Sequence, residues 1–305
     1  MIANSHKAKQ FFLVTIKLLI VSGAIYYIYW HFTGDKKIDF NQIKSYLTFK
    51  AHLILTAFSC LNWILEFFKW RHLVSSFKEI SFFEAMKQSL GSLTASIFTP
   101  NRIGEYGAKA LYYPKENTKQ IVLLNFIGNS TQMFVTTVFG LIGIMIIKIP
   151  ILKFQIPILG VIIIFIMFLF YFRNIEIYGF SIKKLIQKIG SFSLKFQFKN
   201  LLFSVLRYLV FSFQFFFLLL IFEIDIAIEI AFAAIFTMYF LASIIPTIHF
   251  MDVAIKGSVA LFLFSQLGVE DWKIASIISI MWIFNLVLPL LVGSVFVLNY
   301  KPLRK

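Results

Sequence analysis

The sequence predicts an all-α, polytopic integral membrane protein, and three observations carry that expectation. Of its 305 residues, 59% are hydrophobic and only 14% are charged, against about a quarter charged in an ordinary soluble domain. Mean hydropathy is +0.84. Apolar runs of membrane-crossing length recur along the chain, about 20 residues being what a helix needs to cross the hydrocarbon core. A water-soluble fold this apolar would have nowhere to put its surface, so the bilayer is its natural solvent.

Six such runs are transmembrane helix candidates: 11–30, 51–70, 119–147, 154–173, 199–222 and 272–298. The first follows Lys7 and Lys9 and has no small-residue cleavage pattern behind it, so it reads as a span and not as a cleaved signal. Between spans, 174–198 alternates Lys with apolar residues and reads as an amphipathic helix lying on the membrane surface.

Two segments are not simple spans. In 81–113 the apolar part before the break covers only 90–98, about 14 Å of helix, half a membrane. Thr99-Pro100-Asn101-Arg102-Ile103-Gly104-Glu105 follows, and then a second short helical stretch. In 227–268 an apolar run stops at Pro246, passes through His249 and Asp252, and resumes through Lys256. Each is expected to form a proline-broken helical hairpin, re-entrant or paired.

Charge supports this folding. With a cytoplasmic N-terminus and each broken segment returning to its own side, sixteen basic residues, Lys69 among them, fall inside and seven outside, as the positive-inside trend requires. Crossing 81–98 once would turn the Lys-rich 173–199 segment outward. Residues 51–147 and 199–298 then form two similar units of opposite orientation within one membrane domain, 1–305, the sequence pattern of an inverted-repeat transporter. The alternative is coincidence, because proline is common in membrane helices. The expected location is the inner (cytoplasmic) membrane, multi-pass, with both termini cytoplasmic.

Composition also excludes. A net charge of +15 would suggest nucleic-acid binding in a soluble protein, but here the cations are scattered through short loops, where anionic headgroups and cytosol hold them. The 39 Phe read as lipid-facing and packing surface. One cysteine, Cys60, leaves no internal disulfide and is expected to be a small core residue. No HExxH, P-loop, GxSxG or DxD metal pair occurs, and the five histidines are far apart, so neither enzyme, metal nor cofactor is expected.

What remains is charge where charge is expensive. An ionisable residue inside the membrane costs on the order of 2.5–3.5 kcal/mol by insertion scales unless paired or hydrated. Arg102, Glu105 and Lys109 cluster at the first break. Pro100 can start the returning half-helix, whose first turn exposes N–H groups, and Gly104 and Gly107 allow close backbone approach. An arginine fork beside a helix N-terminus suits a phosphate, so this break is expected to receive a lipid headgroup; the competing expectation is a self-neutralising Arg102–Glu105 pair. At the second break, Pro246 precedes Asp252 and Lys256, which share a helix face and fit either a structural ion pair or a place in the pathway. Asn125, Asn129 and Gln132 share one face of span 119–147 and either glue helices together or line a polar path. Asn62 and Glu66 lie on 51–70, with Lys69 or Arg71 as expected partners of Glu66. Arg207, Gln214, Asn285 and Pro289 occur in later spans and suggest no individual role.

With these residues in view, the chain resembles the transmembrane region of the lysylphosphatidylglycerol synthase family, which includes the flippase part of the multiple peptide resistance factor. The resemblance rests on Lys69-Trp70-Arg71-His72-Leu73 and on Thr99 to Glu105, similar to the family's Pro-x-Arg-x-Gly element. The Pro246 segment stands where relatives carry a Gly-rich element and departs from it. The resemblance implies lipid or lipid-linked headgroup translocation, with membrane lipids as partners. The alternative is a non-transporting accessory for a glycosyltransferase or phospholipid-modifying enzyme. A third possibility, an intramembrane enzyme, would need an acid/base pair such as Glu66 with His249. With the last span ending near Lys305, synthesis of lysyl-lipid is not expected.

Overall fold

A computed structural model of the chain describes residues 44–99, 102–147, 182–245 and 252–301, with isolated positions 15, 19 and 22. Span 154–173, span 11–30 apart from those three positions, and the prolines Pro100 and Pro246 lie outside the described residues.

The described chain is helical, without strands. Four long helices are apolar enough to cross a membrane: α1 (Phe49–Val74), α4 (Thr118–Ile146), α6 (Leu194–Ile221) and α9 (Asp271–Leu298). They match the expected spans at 51–70, 119–147, 199–222 and 272–298. Between the first two lie α2 (Phe82–Ala95) and α3 (Ile103–Ala110); between the last two lie α7 (Ile228–Ile244) and α8 (Asp252–Ser265). At 1.5 Å per residue these four short helices measure roughly 21, 12, 25 and 21 Å, each short of the ~30 Å hydrocarbon core.

The amphipathic segment ends earlier than expected. Among the described residues a helix, α5, covers Ile182–Gly190, and from Leu194 the chain already belongs to α6. Ser193 causes the change, its hydroxyl accepting the Phe196 N–H at 3.2 Å as an N-cap. At the entry to α2, Ser81 and Glu84 form a reciprocal capping box.

Packing partners follow one rule in both halves. Helix α4, closing the first group, packs along α7; α9, closing the second, packs along α2; and α1 packs against α6. The short helices pair as α2 with α3 and α7 with α8, and the second member of each pair lies against the long helix that closes its own group, α3 on α4 and α8 on α9. Close approach needs residues without side chains. A Cβ on Gly143 of α4 would sit 2.6 Å from the Ala233 carbonyl oxygen of α7, and one on Gly293 of α9 would sit 2.3 Å from the Leu90 carbonyl oxygen of α2.

Two sequence expectations are corrected here. Cys60 is exposed, not a core residue; it sits on the side of α1 facing away from the other helices. Lys69 was counted with the cytoplasmic loop, but α1 continues to Val74 and buries it to 2% exposure.

Candidate functional site

The site begins with a polar stripe on α1. Ser59, Asn62, Glu66 and Lys69 are all buried, and their spacing of three, four and three puts them on one helical face. Helix α6 opposes it with Asn200, Ser204, Arg207 and Gln214, spaced four, three and seven, again one face. Arg207 donates from Nε to Asn62 Oδ1 at 3.2 Å and from Nη1 to the Glu66 carboxylate. Gln214 Nε2 donates to the Leu55 carbonyl at 3.2 Å and its Oε1 accepts from Asn285 Nδ2 at 2.9 Å. Asn62 completes the chain with a 3.4 Å bond to Asn285 Oδ1.

Helix α9 contributes through a break in its own ladder. Pro289 has no N–H, and the preceding turn, Ile283–Val287, is π-helical. The carbonyls of Phe284 and Asn285 therefore turn to α1: the first accepts from the Ser59 hydroxyl, the second from Trp63 Nε1 at 3.3 Å. A π-turn of this kind often marks a functional position.

Helix α3 brings the remaining charges. Arg102 is its N-cap residue and holds φ 60°, a left-handed conformation uncommon outside glycine. Its guanidinium is 3.0 Å from Glu105. Glu105 also binds Lys109 at 2.8 Å. Lys109, 1% exposed, donates to Asn125 Oδ1 at 2.8 Å, lies 3.9 Å from Glu66, and stands 4.1 Å from the centre of the Trp70 ring. Trp70 is itself fixed by Gln88, which accepts from its indole N–H and from the Tyr113 hydroxyl, both at 2.7 Å. Lys69 closes the cluster, 3.0 Å from Glu66. Two carboxylates, Glu66 and Glu105, thus serve four cations: Lys69, Arg102, Lys109 and Arg207.

The start of α3 differs from expectation. The Gly104 N–H donates to Thr99 Oγ1 at 2.9 Å and the Glu105 N–H to the Arg102 carbonyl at 3.0 Å. These two donors are occupied within the chain. The Arg102–Glu105 pair anticipated as the alternative is present, yet Arg102 also faces a cavity.

That cavity, about 280 Å³, lies between the two halves of the chain. Arg102, Arg207 and Lys256 line it, with Asn62, Gln132, Ser243 and Asn285 as further polar groups. Trp63, Tyr208, Phe211, Tyr239 and Trp282 form much of the apolar wall. Of the residues expected to bind a headgroup, Arg102 and Lys256 reach it. Glu105, Lys109 and Asn125 stand behind Arg102 and are not among its lining residues. Asn129 bonds the Tyr106 hydroxyl at 3.4 Å, away from the cavity. Asp252 opens α8 one turn before Lys256. Gln132 lines the cavity while donating to the Ser204 carbonyl at 3.2 Å. His249 is outside the described residues, and Glu66, its suggested catalytic partner, is bound to three cations. No cluster of metal-ligating residues occurs among the described residues.

Sequence reasoning passed over Arg207, Gln214 and Asn285. The signal was there, since a lone arginine within an apolar 28-residue helix is by default a functional candidate, and its one-face spacing with Asn200, Ser204 and Gln214 strengthens it.

Long apolar helices of membrane-crossing length, with short apolar helices between them, define a multi-pass membrane protein. Within that class, the chain belongs to the lysylphosphatidylglycerol synthase TM region family, whose profile matches residues 14–293. No curated protein matches it.

Proposed function

We propose that the protein translocates a lipid or lipid-linked headgroup across the inner (cytoplasmic) membrane, receiving its phosphate in the cavity between the two halves. One observation carries the reading: Arg102 beside the first helix break and Lys256 beside the second, 154 positions apart in sequence, meet Arg207 on the same 280 Å³ cavity. A volume near the lower limit of ligand pockets, about 300 Å³, suits a polar headgroup while the acyl chains stay in lipid. The exchanged packing of α4 on α7 and α9 on α2 fits two inverted units, in which a site at their interface is opened alternately to each side. The family also points to a membrane domain of flippase type.

Reconstitution tests this directly. In proteoliposomes carrying a fluorescent anionic phospholipid in both leaflets, the intact protein is expected to move the inner label outward. Arg102→Ala and Arg207→Gln are each expected to slow that movement at least tenfold. Unchanged rates in both variants would remove the cavity from the mechanism. If the protein moves no lipid but co-purifies with a glycosyltransferase or phospholipid-modifying enzyme, the accessory role replaces this one.

A further inference from the structure

Lys109 is not among the residues that line the cavity, yet both cavity arginines are tied to it through an acid. We infer that Lys109 is a positioning residue, one buried ammonium that holds Arg102 and Arg207 in place for a headgroup; this role rests on the function proposed above. The arrangement is the same on both sides. Glu105 turns Oε1 to Lys109 at 2.8 Å and Oε2 to Arg102 at 3.0 Å. Glu66 turns Oε1 to Lys109 at 3.9 Å and Oε2 to Arg207. One ammonium on α3 thus stands behind an arginine at the start of α3 and another on α6.

The ammonium itself is closely held. Asn125 Oδ1 accepts from it at 2.8 Å, and the centre of the Trp70 ring lies 4.1 Å away. Gln88 fixes that ring by accepting its indole N–H. Carboxylates and phosphates compete for the same guanidinium donors. Charge shared with Lys109 makes each carboxylate a weaker competitor. Without Lys109, each acid's charge falls more fully on its arginine and draws that arginine back from the cavity.

Binding of phosphatidylglycerol to the full chain in detergent, followed by native mass spectrometry, tests this. Lys109→Met is expected to weaken binding at least tenfold in the intact protein, but no more than about threefold when Arg102 is already Ala, because part of the route through which Lys109 acts is then gone. Asn125→Leu keeps the ammonium and removes one of its anchors. It is expected to weaken binding about threefold, again less in the Arg102→Ala background, and it keeps the result decisive if Lys109→Met fails to fold. Equal losses in the two backgrounds would make Lys109 a structural residue only and overturn the inference, as would unchanged binding in Lys109→Met. Either result leaves the headgroup reading standing if the intact protein binds the lipid and moves it in proteoliposomes. An intact protein that neither binds nor moves phosphatidylglycerol overturns both.

Discussion

Arg207 and Glu66, separated by 141 residues in sequence, form a hydrogen-bonded ion pair between α6 and α1. The carboxylate is shared with Lys69 and Lys109, so the two positions are not equivalent partners. Removing Arg207 leaves Glu66 with two cations; removing Glu66 takes the shared carboxylate from three, with Glu105 the remaining acid paired in the cluster among the described residues.

The first prediction follows from that asymmetry. Breaking a buried pair by deleting one partner costs about 3–5 kcal/mol, and Glu66→Gln is expected to reach that range while Arg207→Gln stays well below it. The double variant should recover part of the Glu66→Gln loss. Thermal unfolding in detergent, read as a double-mutant cycle, checks this; equal losses in the two single variants would mean that the lysines do not share the carboxylate.

Backbone and charge can be separated at Arg102. Its φ of 60° is a conformation that costs a side-chain-bearing residue roughly 1–2 kcal/mol and glycine almost nothing. Arg102→Gly is therefore expected to be more stable than Arg102→Ala by about 1 kcal/mol, although both lose the guanidinium and both should lose headgroup binding. A stability order reversed between the two would refute the left-handed assignment.

Glycine contacts give a prediction with its own control. On Gly293 a methyl group would press the α2 backbone at Leu90, whereas nothing lies within 4 Å of one on Gly107. Gly293→Ala should destabilise by about 1–3 kcal/mol through overpacking. Gly107→Ala, inside α3, should stabilise by about 0.5–1 kcal/mol through helix propensity alone. The measurement is the shift in midpoint temperature of each variant.

The capping box supplies a pH dependence. Hydrogen bonds from the Ser81 N–H and hydroxyl region hold the exposed Glu84 carboxyl below its ordinary 4.5. A carboxylate with a depressed folded-state pKa adds stability that is present above the unfolded value and disappears as pH falls through the folded one. The stability difference between the intact protein and Glu84→Ala should thus be constant above the ordinary carboxylate range and fall away as pH drops through the depressed folded-state pKa. Ser81→Ala should cost about 0.5–2 kcal/mol and abolish most of that pH dependence.

Much of this fold was legible beforehand. The long helices α1, α4, α6 and α9 lie where apolar runs of spanning length lie, and the breaks fall beside Pro100 and Pro246 as composition suggests. The cluster of Arg102, Glu105 and Lys109 was also readable, because i, i+3 and i+4 neighbours must meet on any helix. Lys69 was misplaced as a loop cation because a helix end is hard to fix within a turn; α1 runs four residues past its expected end. Arg207 announced itself as an arginine in an apolar span, but nothing in that span names its partner, Glu66, 141 residues away.

By itself, then, the sequence determined the solvent of this protein and the number and character of its longest described helices. Those properties depend on composition and on periodicity over one or two turns, which each segment carries alone. It also determined which polar residues share a face. Which face meets which was decided only in three dimensions: that Glu66 serves Arg207 and Lys109, that Pro289 frees carbonyls for Ser59 and Trp63, and that Arg102 and Lys256 border one cavity. Helical periodicity fixes the direction of a side chain about its own axis but says nothing about the neighbouring helix, and the burial of charge is set by that neighbour.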